Sequence, residues 1–202
     1  MPMTTPPSVS TPAAAEPTDV RARILDTASR LFYARGVRAV GVDLVIQEAN
    51  VAKTSLYRHF RTKDELIVAF LEREEVEFWG LWDEVAAAHA GDPMGELQAQ
   101  LGWVSERLGR VNYRGCPQIN VAAEFAEPEH PARAVARLHM QRLRERLHRI
   151  AAALGAARPG ELAAQLSLLV NGAFVSPALL APGEAGTVLQ AAARALVAAA
   201  AR

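Results

Sequence analysis

The chain has 202 residues, half of them apolar, with 22 Lys and Arg balanced by 22 Asp and Glu and a single cysteine. That supplies a core for one large domain, or for a small domain joined to a medium one, and Gly and Pro are too scarce for a fibrous or broadly disordered chain. A lone cysteine excludes an intrachain disulfide and a four-cysteine metal site, and no apolar run approaches the roughly 20 residues that span a bilayer.

Residues 1–18 are rich in Pro, Ser, Thr and Ala, with no basic cluster and no apolar stretch. They read as a disordered arm rather than a signal peptide, so the chain is expected in the cytoplasm. From there helical periodicity dominates and no segment reads as a strand. A first helix over 20–35 carries Ile24, Ala28, Leu31 and Phe32 on one stripe and stops at Gly36. A short helix over 42–49, with Val42, Val45 and Ile46, is interrupted by Asn50. Another short helix covers 52–60. Thr62 then caps a long helix over 63–90, striped by Ile67, Phe70, Leu71, Phe78, Leu81, Trp82 and Val85. Asp92 and Pro93 open a helix that reaches about 111. After a turn at 112–115 come helices over 117–125 and 131–154, separated by a break at Pro128 and Pro131. Pro159 opens a helix to about 180 with Pro177 as a break point, and the last helix covers 185–200.

The zero net charge hides an asymmetry. Between Val20 and Lys63 nine Lys and Arg face three acids, which makes this segment +6 and the remainder −6. A basic end of that kind suits a polyanion. Within it, residues 39–60 have the layout of a helix-turn-helix. Asn50 stands where a left-handed backbone is needed, a conformation Asn tolerates better than most residues. Leu56 and Phe60, four apart, point inward, while Lys53, Thr54, Tyr57, Arg58 and Arg61 share the other side. No acid lies between Asn50 and Lys63. A helix with such a face fits the major groove.

The string ILDTASRLFYARGVRAVGVDLVIQEANVAKTSLYRHFRTKDEL, from Ile24 to Leu66, resembles the N-terminal domain of TetR-family repressors. The pieces that match are Leu31-Phe32, Gly36, Val42, Ala49, Val51, Lys53, Leu56-Tyr57, His59-Phe60, Lys63 and Leu66. A second stretch, RGCPQINVAAEFAEPEHPAR from Arg114 to Arg133, is similar to one found in a branch of the same family. Gly41 and Ala52 stand where many members carry a capping Ser or Thr, and Asn50 where many carry Gly. Losing the cap at Ala52 costs the third helix about 1 kcal/mol of local stability.

The resemblance implies an all-α fold: a three-helix helix-turn-helix domain over 19–63, then a helical ligand-sensing and dimerisation domain over 64–202. It implies that Tyr57, His59 and Lys63 anchor DNA phosphates. Lys63 also opens a helix whose free N–H groups favour a phosphate. Lys53, Thr54, Ser55 and Arg58 are the candidates for base edges, with Arg58 able to pair bidentately with guanine. His59, next to Phe60, can alternatively be packed. The partners implied are a palindromic double-stranded operator, a second copy of the chain and an apolar or aromatic small-molecule inducer, with no membrane, cofactor or metal. The Leu- and Ala-rich segments ELAAQLSLLVNGAFV and VLQAAARALVAAA suit the dimer contact, and repression relieved by the inducer is the expected mode of action.

An apolar pocket with a few polar groups is expected. Its candidate walls are Phe78, Trp82, Trp103, Tyr113, Cys116, Asn120, Glu124 and Phe174. Asn120 and Glu124, four apart, either present polar groups to it together or leave Glu124 as a surface acid. Cys116 reads as a small core thiol near a helix start; Arg114 nearby is what a redox role would draw on. His130, His139 and His148 are nine apart, which puts neighbours on opposite faces and argues against a metal site. No nucleophile elbow, Gly-rich phosphate loop or metal-ligand cluster speaks for an enzyme. The remaining alternative is a DNA-binding activator or nucleoid-organising protein without a ligand.

Overall fold

The computed structural model describes residues 17–176 and 183–200. Over these it is all-α: α1 Pro17–Arg35, α2 Val42–Ala49, α3 Lys53–His59, α4 Lys63–Ala88, α5 Pro93–Leu108, α6 Pro117–Glu124, α7 Pro131–Ala153, α8 Pro159–Val175 and α9 Glu184–Ala200. The expected arm, apart from its last two residues, lies outside the described residues, as do 177–180 of the expected eighth helix. Helix α1 begins at Pro17, three residues before its expected start at Val20. Helix α5 stops at Leu108, capped by Gly109, and so leaves Val111 wholly exposed instead of helical.

The helix ends follow local chemistry. Asn50 adopts the left-handed conformation (φ 50°, ψ 56°) and its N–H reaches the last carbonyls of α2. Ala52 provides no side-chain cap for α3, as its chemistry dictates. The Thr62 hydroxyl accepts from Glu65 N at 3.1 Å, and Glu65 returns a carboxylate oxygen to Arg61 N at 2.7 Å. This is a reciprocal arrangement akin to a capping box. Asp92 caps α5 through Gly95 N at 2.9 Å, and Pro opens α5, α6, α7 and α8 in the first turn.

Two cores organise the molecule. The first joins α1, α2 and α3 around Ile24, Leu31, Phe32, Val45 and Leu56, and takes in Leu66, Ile67, Phe70 and Leu71 from the start of α4. Val121 of α6 and Ala132 of α7 also belong to it. The second fills the bundle of α4 to α9 around Trp82, Leu101, Leu143, Leu147, Leu166 and Phe174. Helix α4 therefore runs through both cores. Its buried stripe departs from the expected one: Leu66, Ala69 and Trp79 are buried as well, Leu81 is exposed and Val85 is only half-buried. The stripe that packs is Leu71, Phe78, Trp79 and Trp82, and it places Glu75 on the inward face.

Candidate DNA-reading face and ligand cavity

Helix α3 buries Leu56 and, at its end, Phe60, and turns Lys53, Thr54, Tyr57 and Arg58 to solvent. Ser55 and His59 are half-buried, so His59 is partly packed yet still reachable. Lys53 reaches back to Asp43 of α2 at 3.3 Å in an exposed pair, which a nearby phosphate or base edge can compete for at little cost. The Arg21 guanidinium lies 5.0 Å above the Phe60 ring and covers the end of the helix. Lys63 is half-buried in the first turn of α4, and burial pulls its ammonium below the usual value. The residues expected to meet DNA thus lie on one helix and on the first turn of the next.

The cavity of the bundle is lined by Phe78, Tyr113, Cys116 and Phe174, four of the eight residues expected there. Trp103 packs edge-on against Phe78 at 4.9 Å, and Trp82 is stacked behind it at 6.1 Å, so both stand one layer back. Asn120 and Glu124 face the other way. They line a crevice at the edge of the first core together with Tyr33, Gly36 and Phe70. The cavity also holds polar residues that the sequence reading left out: Glu74, Glu75, Arg107, Gln118 and His139.

Glu75 organises them. Its Oε1 meets His139 Nδ1 in a short contact and accepts from Gln118 Nε2 at 3.1 Å. Its Oε2 accepts from Trp79 Nε1 at 2.7 Å. Burial works against the charged form of His139, but the side chains of Cys116 and Glu75 outweigh it and push the imidazole up to about 9. His139 is therefore charged at neutral pH. Tyr113 donates to Phe174 O at 3.0 Å, and burial raises its phenol so that it stays protonated. The cavity has space for about one water-sized sphere, about 10 Å³. A larger guest must move a wall.

Helix α6 connects this cavity to the N-terminal core. Cys116, Pro117 and Gln118, at its start, belong to the cavity wall. Just before them, Tyr33 of α1 accepts from Arg114 N at 3.0 Å and donates to Gly115 O at 3.3 Å. Asn120 secures the same loop by donating to Arg114 O at 2.7 Å. At the other end, both Glu124 carboxylate oxygens accept from the turn between α1 and α2, Val37 N at 3.2 Å and Arg38 N at 2.8 Å. Arg38 returns a bond from Nη1 to Glu124 O at 2.9 Å.

Residues 24–70 match the model of the TetR family of bacterial regulatory proteins. A solved TetR-type transcriptional regulator from Streptomyces avermitilis is 31% identical, with 90% of this chain and 97% of that one aligned at a TM-score of 0.76. The chain belongs to the TetR family. Among TetR-family structures, a regulator from Streptomyces coelicolor aligns with a TM-score of 0.87 at 26% identity, over 92% of this chain and 97% of that one. The transcriptional regulator AcrR of Shigella flexneri is 33% identical over 91 residues, 45% of this chain. That match spans 42% of AcrR's length and does not extend over its whole. The TetR-family model ends at residue 70, one residue before Leu71, the last α4 residue of the first core, whereas the structural likeness runs on through the bundle. Among the described residues no helix is long and apolar enough to cross a membrane.

The polar cluster carried a signal that pattern reading passes over. Glu75 interrupts the buried stripe of α4, and His139 interrupts the stripe Ala132, Ala136, Leu143, Leu147 of α7. A charged residue at a core position of an otherwise apolar stripe needs a partner, and two such interruptions in neighbouring helices are a pair.

Proposed function

We propose that this protein is a ligand-responsive transcriptional repressor that binds a palindromic operator as a homodimer and leaves it when a small molecule occupies the bundle cavity. Lys53, Thr54, Ser55 and Arg58 read bases; Tyr57, His59 and Lys63 hold phosphates. The observation that carries the reading is helix α6, whose first turn walls the cavity while its last residue grips the turn ahead of α2. Widening the cavity pushes on Cys116 to Gln118, and the helix passes that displacement to the helix-turn-helix. The ligand must prefer the DNA-incompetent arrangement, and a coupling of about 1–3 kcal/mol is typical of such linkage.

Dimerisation is supported by apolar residues left open on α8 and α9. Leu168 is 73% exposed, Val175 57% and Val188 47%. Two copies joined there present two reading helices, as a symmetric operator requires. Footprinting the DNA upstream of the gene, with and without metabolites, is the test. The expected result is an inverted repeat whose protection disappears with one class of compound. Sequence-independent, ligand-insensitive binding would mean an architectural DNA-binding protein instead.

A further inference from the structure

Buried polar atoms without a partner are rare in folded proteins, and each one calls for an explanation. Two of them belong to residues of the cavity wall: Gln118 Oε1 and His139 Nε2 make no hydrogen bond of ordinary geometry among the described residues, although the Cys116 side chain stands close enough to His139 to favour its charged form. Gln118 is 2% exposed and His139 1%. The other polar ends of both side chains converge on Glu75 Oε1, and Gln118 Nε2 donates in addition to Leu71 O at 3.1 Å. With two acceptors at one end, the amide of Gln118 has its nitrogen there and its oxygen free. With a carboxylate on Nδ1, the charged imidazole of His139 keeps an N–H at Nε2. The cavity wall therefore carries one unpaired acceptor and one donor with only the weakly accepting Cys116 sulfur beside it, both side chains braced on the same carboxylate.

Size and charge narrow what can meet them. Space of about 10 Å³ holds a single oxygen and no larger polar group. The Glu75 carboxyl is paired with His139, and burial, then the nearby Glu77, raises the Glu74 carboxyl, with Arg107 only partly opposing them. A carboxylate ligand would face Glu74, Glu75 and the Gln118 oxygen. An ammonium has no lone pair for His139. A hydroxyl both donates and accepts. The rest of the wall is the aromatic trio Phe78, Tyr113 and Phe174 with the segment Gly115 to Pro117, and Arg107 lies 5.9 Å from the centre of the Phe78 ring.

We propose that the cavity takes a neutral aromatic compound bearing a hydroxyl, whose O–H donates to Gln118 Oε1 and whose oxygen accepts from His139 Nε2 while its ring lies among Phe78, Tyr113 and Phe174. This names the ligand class of the sensor described above and rests on that reading. The hydroxyl seat is already formed, and room for the ring comes from displacing the walls, including the start of α6.

The test is calorimetric titration of the full chain with four probes: 4-propylphenol, propylbenzene, 4-propylanisole and 4-propylbenzoate. The phenol should bind about tenfold more tightly than propylbenzene, the gain expected from one well-made buried hydrogen-bond set. The anisole, which accepts but cannot donate, should lose most of that preference, and the benzoate should bind worst. Gln118→Met should bring the phenol to within about threefold of propylbenzene and leave propylbenzene unchanged. The anisole comparison uses the unaltered protein and stands even if the variant does not fold. Equal binding of phenol and propylbenzene, tighter binding of the benzoate, an intact preference in Gln118→Met, or no binding by any probe overturns the assignment. None of those results touches the sensor reading, which fails only if a broad metabolite screen leaves operator affinity unchanged.

Discussion

The carboxylate of Glu124 on α6 lies so close to Gly36 that a Cβ there would stand 2.9 Å from its Oε1. Gly36, at φ +87°, ends α1, and its missing side chain lets the acid reach the two amides that follow. Because α6 begins in the cavity wall, this contact is the last joint between ligand and reading head. Glu124→Ala should keep operator binding and lose most of the ligand response. Ligand affinities of free and operator-bound dimer, which linkage requires to differ in the unaltered protein, should then converge. A Glu124→Ala protein that still releases DNA at the normal ligand concentration would remove α6 from the coupling.

The reading face predicts two kinds of loss. Tyr57→Phe and Lys63→Ala should weaken all operator variants about equally, as phosphate contacts do. Arg58→Ala should instead relax discrimination at one base position by about 1–3 kcal/mol. Binding measured across a set of single-base operator variants separates the two, and a uniform loss for Arg58→Ala would move that residue to the phosphates. Affinity should also fall steeply with salt, and Lys63→Ala should reduce the slope by about one.

The buried pair of His139 and Glu75 makes stability depend on pH. The imidazole is held up to about 9 in the fold, above its ordinary 6.5. The native state therefore binds more protons than the unfolded chain between those values. The pair's contribution is complete below about pH 6.5 and is lost as the pH rises through 9. Urea unfolding at pH 6.5, 8 and 9.5 should show stability falling by up to roughly 3 kcal/mol, and His139→Gln should flatten that decline. A stability that rises over this range would mean a neutral imidazole.

Association should respond to the open faces of α8 and α9. Leu168 is far too exposed for Leu168→Glu to disturb the monomer core. In a dimer joined there, however, the substitution buries an unpaired charge at the contact. Sedimentation of this variant should show monomer, with operator affinity lost in parallel. A stable Leu168→Glu dimer would place the interface elsewhere.

The helices, their caps, the turn at Asn50 and the basic side of α3 were legible in the sequence because each is decided within about four residues. A cap meets an amide two or three positions on, a stripe repeats every three or four, and Asn50 bends its own backbone. The helix-turn-helix, and the face it shows to DNA, follow from such local terms. What lies in the cavity does not. Glu75, Gln118 and His139 come from three helices, Gln118 lying 43 positions and His139 64 positions after Glu75 in the chain. Only the packing of α4 against α6 and α7 brings them onto one carboxylate. The same packing turns Asn120 and Glu124 away from the cavity toward α1, although their spacing suited either side. An eight-residue helix such as α6 carries too short a stripe to declare its own orientation; the two cores it bridges decide that, and with it the side chains that face a ligand.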